Sequence, residues 1–194
     1  MPGEPSSRDA VILSAARTPQ GKFLGGLASF TAAELGRAAA KAAVERSGIN
    51  AEDLAEVIIG SVVSAGTGQA LPRQISIGAG IPEHVGGFTI NKVCGSGLKA
   101  VMLAASGIRA GDGEAYLAGG SESMSRAPFL LDDHRQGHKY GHTTLRDSLQ
   151  SDGLWCSLCD WGMGNAAEFI ARQLEISREA MDQFAYDSHI KAAD

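Results

Sequence analysis

Positive charge is scarce and scattered in this chain. Lys and Arg number 17 against 22 Asp and Glu, giving a net charge of −5 with no basic block. The electrostatic footprint of a nucleic-acid binder, or of a protein held on an anionic membrane, is therefore missing. The expected partners are small molecules or other subunits, with no nucleic acid and no membrane. Long apolar runs are also lacking, since none approaches the roughly 20 residues that span a bilayer. The polar opening MPGEPSSRDA has neither the basic nor the apolar region of a secretory leader. Cysteines are few: Cys94, Cys156 and Cys159 are too unevenly placed for a disulfide framework, which favours a reducing compartment and makes a cytoplasmic location the expectation. The pattern G-x-x-x-x-G-K-S/T is absent, so Thr67-Gly68 and Gly21-Lys22 complete no phosphate loop.

What is present suits a folded protein. The 194 residues are 44% hydrophobic and 20% charged, enough for one substantial core with an appended subdomain. The apolar segments Asp9 to Ala15, Leu54 to Ser61 and Glu114 to Gly120 are short and bounded by glycine or polar residues, as buried strands are. Between them, Thr31-Ala-Ala-Glu34 forms a capping box that opens an alanine-rich helix ending near Gly48. A shorter helix is expected over Pro72 to Ala79, and a strand over Gly87 to Val93. A second long helix is expected from Ser96 to Ala110, with Leu98, Val101, Met102, Ala105 and Ile108 as its buried stripe. The order β-α-β-α-β-α-β predicts an α/β fold with a mainly parallel sheet.

From Ser121 the texture changes to Gly, His, Asp and Arg, and helical patterns return over Asn165 to Leu174 and from Ser177 onward. This predicts a core over residues 1–120 and an inserted loop domain over 121–194. The last pattern takes Ser177 as its N-cap and reaches Asp194 without a stop signal, as a truncated element would.

Cys94 stands between the expected strand and the second long helix, with Gly95 and Gly97 permitting a sharp turn and close approach of a ligand. A helix N-terminus favours a thiolate, and its N–H groups suit an acyl oxyanion. Two other readings stand beside the nucleophile: a buried, inert cysteine, and a dinucleotide fingerprint, because Gly95-Ser-Gly97-Leu-Lys-Ala100 fits G-x-G-x-x-A. The fingerprint is misplaced, lying at the third strand–helix unit instead of the first.

The segment TINKVCGSGLKAVMLA resembles the active-site segment of the thiolase family around its acyl-accepting cysteine. ILSAARTPQGKFLGGL resembles the family's N-terminal signature, and LAGGSESMSRAPF the segment that leaves its core sheet. DGLW and WGMGNAAEFIARQLEISREAMDQFAYDSHIKA resemble its loop domain. The matches occur in family order along nearly the whole chain. The resemblance implies a thiolase-like layered fold with two similar halves, of which the first and much of its insertion are present here. It implies an acyltransferase of fatty acid metabolism, in which Cys94 carries an acyl group between coenzyme A thioesters, either cleaving a 3-ketoacyl-CoA or condensing two acetyl-CoA molecules. Coenzyme A and acyl-CoA are then substrates and products, with no permanently bound cofactor, and the full-length protein is a homodimer or homotetramer. The Cys94 N–H contributes to an oxyanion hole, and Leu154 and Met163 line the acyl and pantetheine pocket.

Two departures qualify this. Gly162 stands where well-known biosynthetic members carry histidine, which leaves the acyl-chain preference open. The family's later N-E-A-F, G-H-P and C-x-G-G-G contexts do not occur, so no base or second cysteine is supplied, and these residues by themselves are expected to turn over poorly. A ketoacyl-synthase-type condensing enzyme would share the cysteine but lack AARTPQGKF and GGSESMS. A dimerisation or scaffold partner built from half a thiolase is the non-enzymatic alternative.

Three further patterns carry weaker chemistry. His134, His138 and His142 would align as metal ligands on a helix, but Gly137 and Gly141 oppose that helix and favour an exposed loop. Cys156-Ser-Leu-Cys159 is half a zinc site, a redox dithiol, or two reduced cysteines in a packed loop. Asp132-Asp133 reads as solvated surface.

Overall fold

The computed structural model describes residues 9–193; the first eight residues of the polar opening and the terminal Asp194 lie outside the described residues. By internal contacts the chain divides into two compact units, Met1–Gly153 and Leu154–Asp194, while the central sheet ends at Gly120.

The first unit is built on a three-stranded parallel sheet. Its strands are β1 (Glu56–Gly60), β2 (Gly86–Ile90) and β3 (Tyr116–Gly120), in the order β2-β1-β3. Glu56 faces Gly86 on one side and Tyr116 on the other. Helix α1 (Ala32–Ser47) precedes β1, and two helices cross between the strands: α2 (Leu71–Gly78) from β1 to β2 and α3 (Ser96–Ala110) from β2 to β3. β1 is central and is buried on both faces, so it reads as a continuous apolar run instead of an alternating one. Val57 and Ile59 pack with Leu71 and Ile75 of α2 and with the alanines of α1, while Ile58 packs with Ala100 and Ala104 of α3. The two-residue period of the strand thus divides the core into two layers.

Helix α1 begins as its sequence requires. The Glu34 amide donates to the Thr31 hydroxyl (3.2 Å), the Thr31 amide donates to the Glu34 carboxylate (2.8 Å), and Gly48 ends the helix in the left-handed region. These bonds hold the Glu34 carboxyl below its ordinary range, the Thr31 backbone bond contributing most.

Two sequence expectations are corrected. Asp9 to Ala15 forms no strand: it joins no ladder among the described residues, and Val11, Ile12 and Leu13 are all exposed. The segment is tied to α1 instead, through Ser14 Oγ donating to the Ala43 carbonyl (2.6 Å) and Arg46 donating to the Ala15 carbonyl (3.3 Å). β-propensity alone makes no strand where the chain is not presented to a sheet edge.

The second correction concerns α3, whose limits are as expected but whose buried face is not. Ser96, Ala100 and Ala104 face inward, whereas Leu98 is 69% exposed and Met102 51%. The reason is steric. At Gly60 a Cβ would lie 2.5 Å from the Ser96 carbonyl carbon and 2.6 Å from the Gly97 nitrogen, so the helix rests backbone against backbone on the sheet. Only small side chains fit such a contact, and the large apolar ones turn outward.

The remaining strands are short. β4 (Phe129–Leu130) and β5 (Arg146–Asp147) pair antiparallel, and a π-helical turn spans Leu149–Leu154. In the second unit, β6 (Trp155–Cys156) and β7 (Trp161–Gly162) form a small hairpin, followed by α4 (Met163–Gln173) and α5 (Arg178–Ala193). Ser177 caps α5 by accepting from the Ala180 amide (3.2 Å), as expected. No described helix is long and apolar enough to cross a membrane.

Candidate active site

β2 ends at Ile90 and α3 begins at Ser96, so the chain reverses within Asn91 to Gly95, and Cys94 is exposed at this elbow. Three features fix the turn. The Val93 amide donates to Asn91 Oδ1 (2.9 Å). Val93 itself takes φ 48°, a left-handed conformation that a β-branched residue adopts only under constraint. Ser96, buried beneath the elbow, accepts from the Lys92 amide (2.8 Å) and donates to the Val93 carbonyl (2.6 Å), bridging both sides of Cys94. The thiol is therefore held outward on a braced loop, which removes the reading of a buried, inert cysteine.

The helix start is partly committed. The amides of Gly95 and Ser96 donate to the carbonyls of Lys92 (3.1 Å) and Val93 (3.0 Å), so these two are not open to an oxyanion. Gly60, Gly97 and Gly120 stack below the elbow: a Cβ on Gly120 would meet the Gly60 carbonyl oxygen at 3.2 Å and Gly97 Cα at 3.4 Å. Sequence reasoning recognised Gly97 but missed Gly60, Gly120 and Ser96. Glycines closing two strands and a serine two residues after the cysteine were the available signals.

A second organised region was also missed. The Glu122 carboxylate, just beyond β3, accepts from the Val62 amide (2.8 Å), the Val63 amide (3.2 Å) and the Ser61 hydroxyl (3.3 Å). Ser121 donates to the Ala32 carbonyl (2.6 Å) and Ser123 to the Phe30 carbonyl (2.7 Å). The SES sequence thus ties the ends of β1 and β3 to the start of α1, a structural use of charge by an acceptor of several N–H groups.

The histidine-rich stretch is not helical: Gly137 and Gly141 take φ 82° and 94°. His134 and His138 stack with centroids 5.3 Å apart, and their ring nitrogens contact the Asp132 and Gly141 carbonyls. Among the described residues no group of three or more potential ligands converges on a metal-binding geometry. Asp132 pairs with Arg146 (3.1 Å) at a half-exposed site.

In the second unit, Leu154 immediately precedes β6 and Met163 immediately follows β7, so the Trp155↔Gly162 pairing places them at the open end of one hairpin. Both are about four-tenths exposed. Gly162 has φ −76° and ψ 161°, which any residue adopts, and a Cβ there would meet Asn165 Oδ1 only at 3.5 Å. The backbone does not demand glycine at this position.

The family model for the N-terminal domain of thiolase matches residues 10–194, including the whole elbow. The chain belongs to the thiolase family. Among similar proteins, acetyl-CoA acetyltransferase of Cupriavidus necator is 52% identical over 184 residues, covering 95% of this chain and 47% of that protein. The cytosolic acetyl-CoA acetyltransferase ERG10 of Gibberella zeae is 49% identical, covering 93% and 46%. The crystal structure of Acat5 thiolase from Ascaris suum in complex with coenzyme A superposes with a TM-score of 0.90 at 40% identity, covering 95% of this chain and 48% of that one. The chain thus spans about half the length of its thiolase relatives, and the expected α/β thiolase-like fold is the observed one.

Proposed function

We propose that these residues supply the acyl-accepting nucleophile of a thiolase that transfers acyl groups between coenzyme A thioesters. The observation that carries this reading is Cys94, exposed on an elbow that Ser96 braces by bonds back to Lys92 and Val93. In the thiolytic direction, Cys94 Sγ attacks the 3-keto carbon of a 3-ketoacyl-CoA. The bond to the adjacent carbon breaks, its electron pair is protonated as acetyl-CoA leaves, and the acyl group stays on sulfur as a thioester. Attack by a second coenzyme A thiol returns the acyl group to coenzyme A and regenerates the Cys94 thiol. Sulfur ester replaces sulfur ester in this second step, so transfer is close to balanced and can run toward condensation.

Leu154 and Met163 are the apolar residues we assign to the acyl and pantetheine pocket; their positions at one end of the β6–β7 hairpin support this. The missing side chain at Gly162 leaves room beside them, favouring a pocket shaped differently from one that carries histidine there. The Cys94 amide is the oxyanion donor in the same reading. Proton transfer needs a base and a second thiol, and the N-E-A-F, G-H-P and C-x-G-G-G contexts are not in this sequence. Acylation of Cys94 is accordingly the half-reaction expected of these residues, with multiple turnovers requiring the complementary half. Assembly as a homodimer or homotetramer belongs to the same reading, and the exposed Leu98 and Met102 on α3 support association with further protein surface.

The test is intact-mass spectrometry after incubation with acetyl-CoA or acetoacetyl-CoA, on this chain and on a chain completed with the family's second half. An acetyl adduct on the completed protein that vanishes in Cys94→Ala is the expected result. A folded, completed protein that takes no adduct would overturn the reading.

A further inference from the structure

Cys156 and Cys159 lie toward the turn of the β6–β7 hairpin, whose open end carries Leu154 and Met163. Cys156 is fixed in β6 opposite Trp161, and the Asp160 amide donates to the Cys156 carbonyl (2.8 Å), with Asp160 at φ 53°. The Trp155 indole N–H donates to the Asp160 carboxylate (3.0 Å), which locks the turn from the other side. The chain is thereby folded back within one hairpin turn, which brings Cys159 round toward Cys156 at the end of β6.

The two thiols are therefore unequal. Cys156 is lowered from its ordinary value of 9.0, chiefly by the Cys159 and Leu158 amides. Cys159 is raised, chiefly because its own proton is engaged by Cys156. The low-pKa sulfur is half-buried, its partner is exposed, and Leu158 at the tip of the turn is 94% exposed, so a small reagent has access. Among the described residues no third ligand joins the pair to make a metal site.

We propose that Cys156 and Cys159 are a redox-active dithiol that exchanges with small-molecule disulfides of the glutathione type, closing a Cys156–Cys159 bridge across the hairpin turn. The Cys156 thiolate attacks one sulfur of the reagent disulfide, forming a mixed disulfide and expelling one thiolate. Cys159, losing its proton to solvent, then attacks the Cys156 sulfur and expels the second thiolate. The protein dithiol is oxidised by two electrons, the reagent disulfide is reduced to two thiols, and the sulfur count balances. A bridge enclosing so short a loop adds little entropic stabilisation, so it forms and opens with the redox poise instead of acting as a permanent staple.

The experiment exposes the chain to oxidised glutathione, quenches with an alkylating agent, and maps the products by peptide mass. The wild-type chain is expected to lose two alkylation sites and yield a linked Cys156–Cys159 peptide, with Cys94 still alkylated. Cys159→Ser should accumulate a glutathione adduct on Cys156, and Cys156→Ser should react at Cys159 at least about tenfold more slowly. Full alkylation of all three thiols in the wild-type chain, equal rates in the two variants, or a bridge to Cys94 would overturn the proposal. Loss of the acyl adduct without loss of the bridge would count against the thiolase reading alone.

Discussion

The residues up to Gly153 and those from Leu154 onward are stabilised by different means. In the first unit, Val57, Ile58, Ile75 and Val85 are at most 2% exposed, and two apolar layers enclose a parallel sheet. In the second, Ala171 is the one buried apolar residue among those described, and Phe184, Tyr186 and Ile190 of α5 face outward. Its helices rest on local devices: the Ser177 cap, the Arg178–Asp182 ion pair (2.8 Å) and the Gln183–Asp187 hydrogen bond (2.7 Å). Exposed pairs and a single cap of this kind contribute less than the removal of a buried side chain costs. Local signals therefore suffice to write helices, but they do not build a core.

Four substitutions sharpen this contrast, measured as changes in urea unfolding. Ile75→Ala should have the largest effect, about 3 kcal/mol, because a fully buried side chain leaves a cavity between α1, α2 and β1. Gly60→Ala should cost about 2 kcal/mol, since its Cβ meets helix backbone that cannot rotate away. It should also slow alkylation of Cys94 relative to Cys159, because it displaces the helix start that carries Ser96.

Thr31→Ala should cost about 1 kcal/mol through loss of the α1 cap. The cap also has a pH signature. Glu34 is lowered in the folded state from an ordinary value of 4.5, so its contribution is present above that value and is lost as pH falls through the lower folded value. The difference between wild type and Thr31→Ala should narrow on acidification below the ordinary value of 4.5; a constant gap would remove Glu34 from the cap's energetics. Phe184→Ala should have the smallest effect, within about 0.5 kcal/mol, because the ring is 78% exposed. A loss comparable to that of Ile75→Ala would break the contrast between the two units.

Most of the helices were legible because their signals are local. The Thr31 capping box and Gly48 delimit α1, and the limits of α3 were read correctly from the sequence. The elbow at Cys94 was legible from the glycines on either side of Ser96. The bracing by Ser96 itself was not, because its two bonds depend on how the chain folds back. The apolar stripe of α3 misled for a related reason: a periodic pattern identifies a face but not what covers it. The C-x-x-C spacing was visible, but a packed loop was a wrong setting for it, because Cys159 lies exposed in the turn of a paired hairpin.

By itself, the sequence determined the family, the strand–helix order over residues 54–120 and the place of Cys94 between β2 and α3, since each depends on neighbouring residues and quoted motifs. Only the tertiary structure decided that Asp9 to Ala15 joins no ladder among the described residues, that α3 meets the sheet through its small residues, and that Cys156 and Cys159 share one closed hairpin turn. These outcomes turn on contacts between segments distant in sequence or on the closure of a turn, where steric fit at Gly60 and the direction of a few N–H groups outweigh local preference.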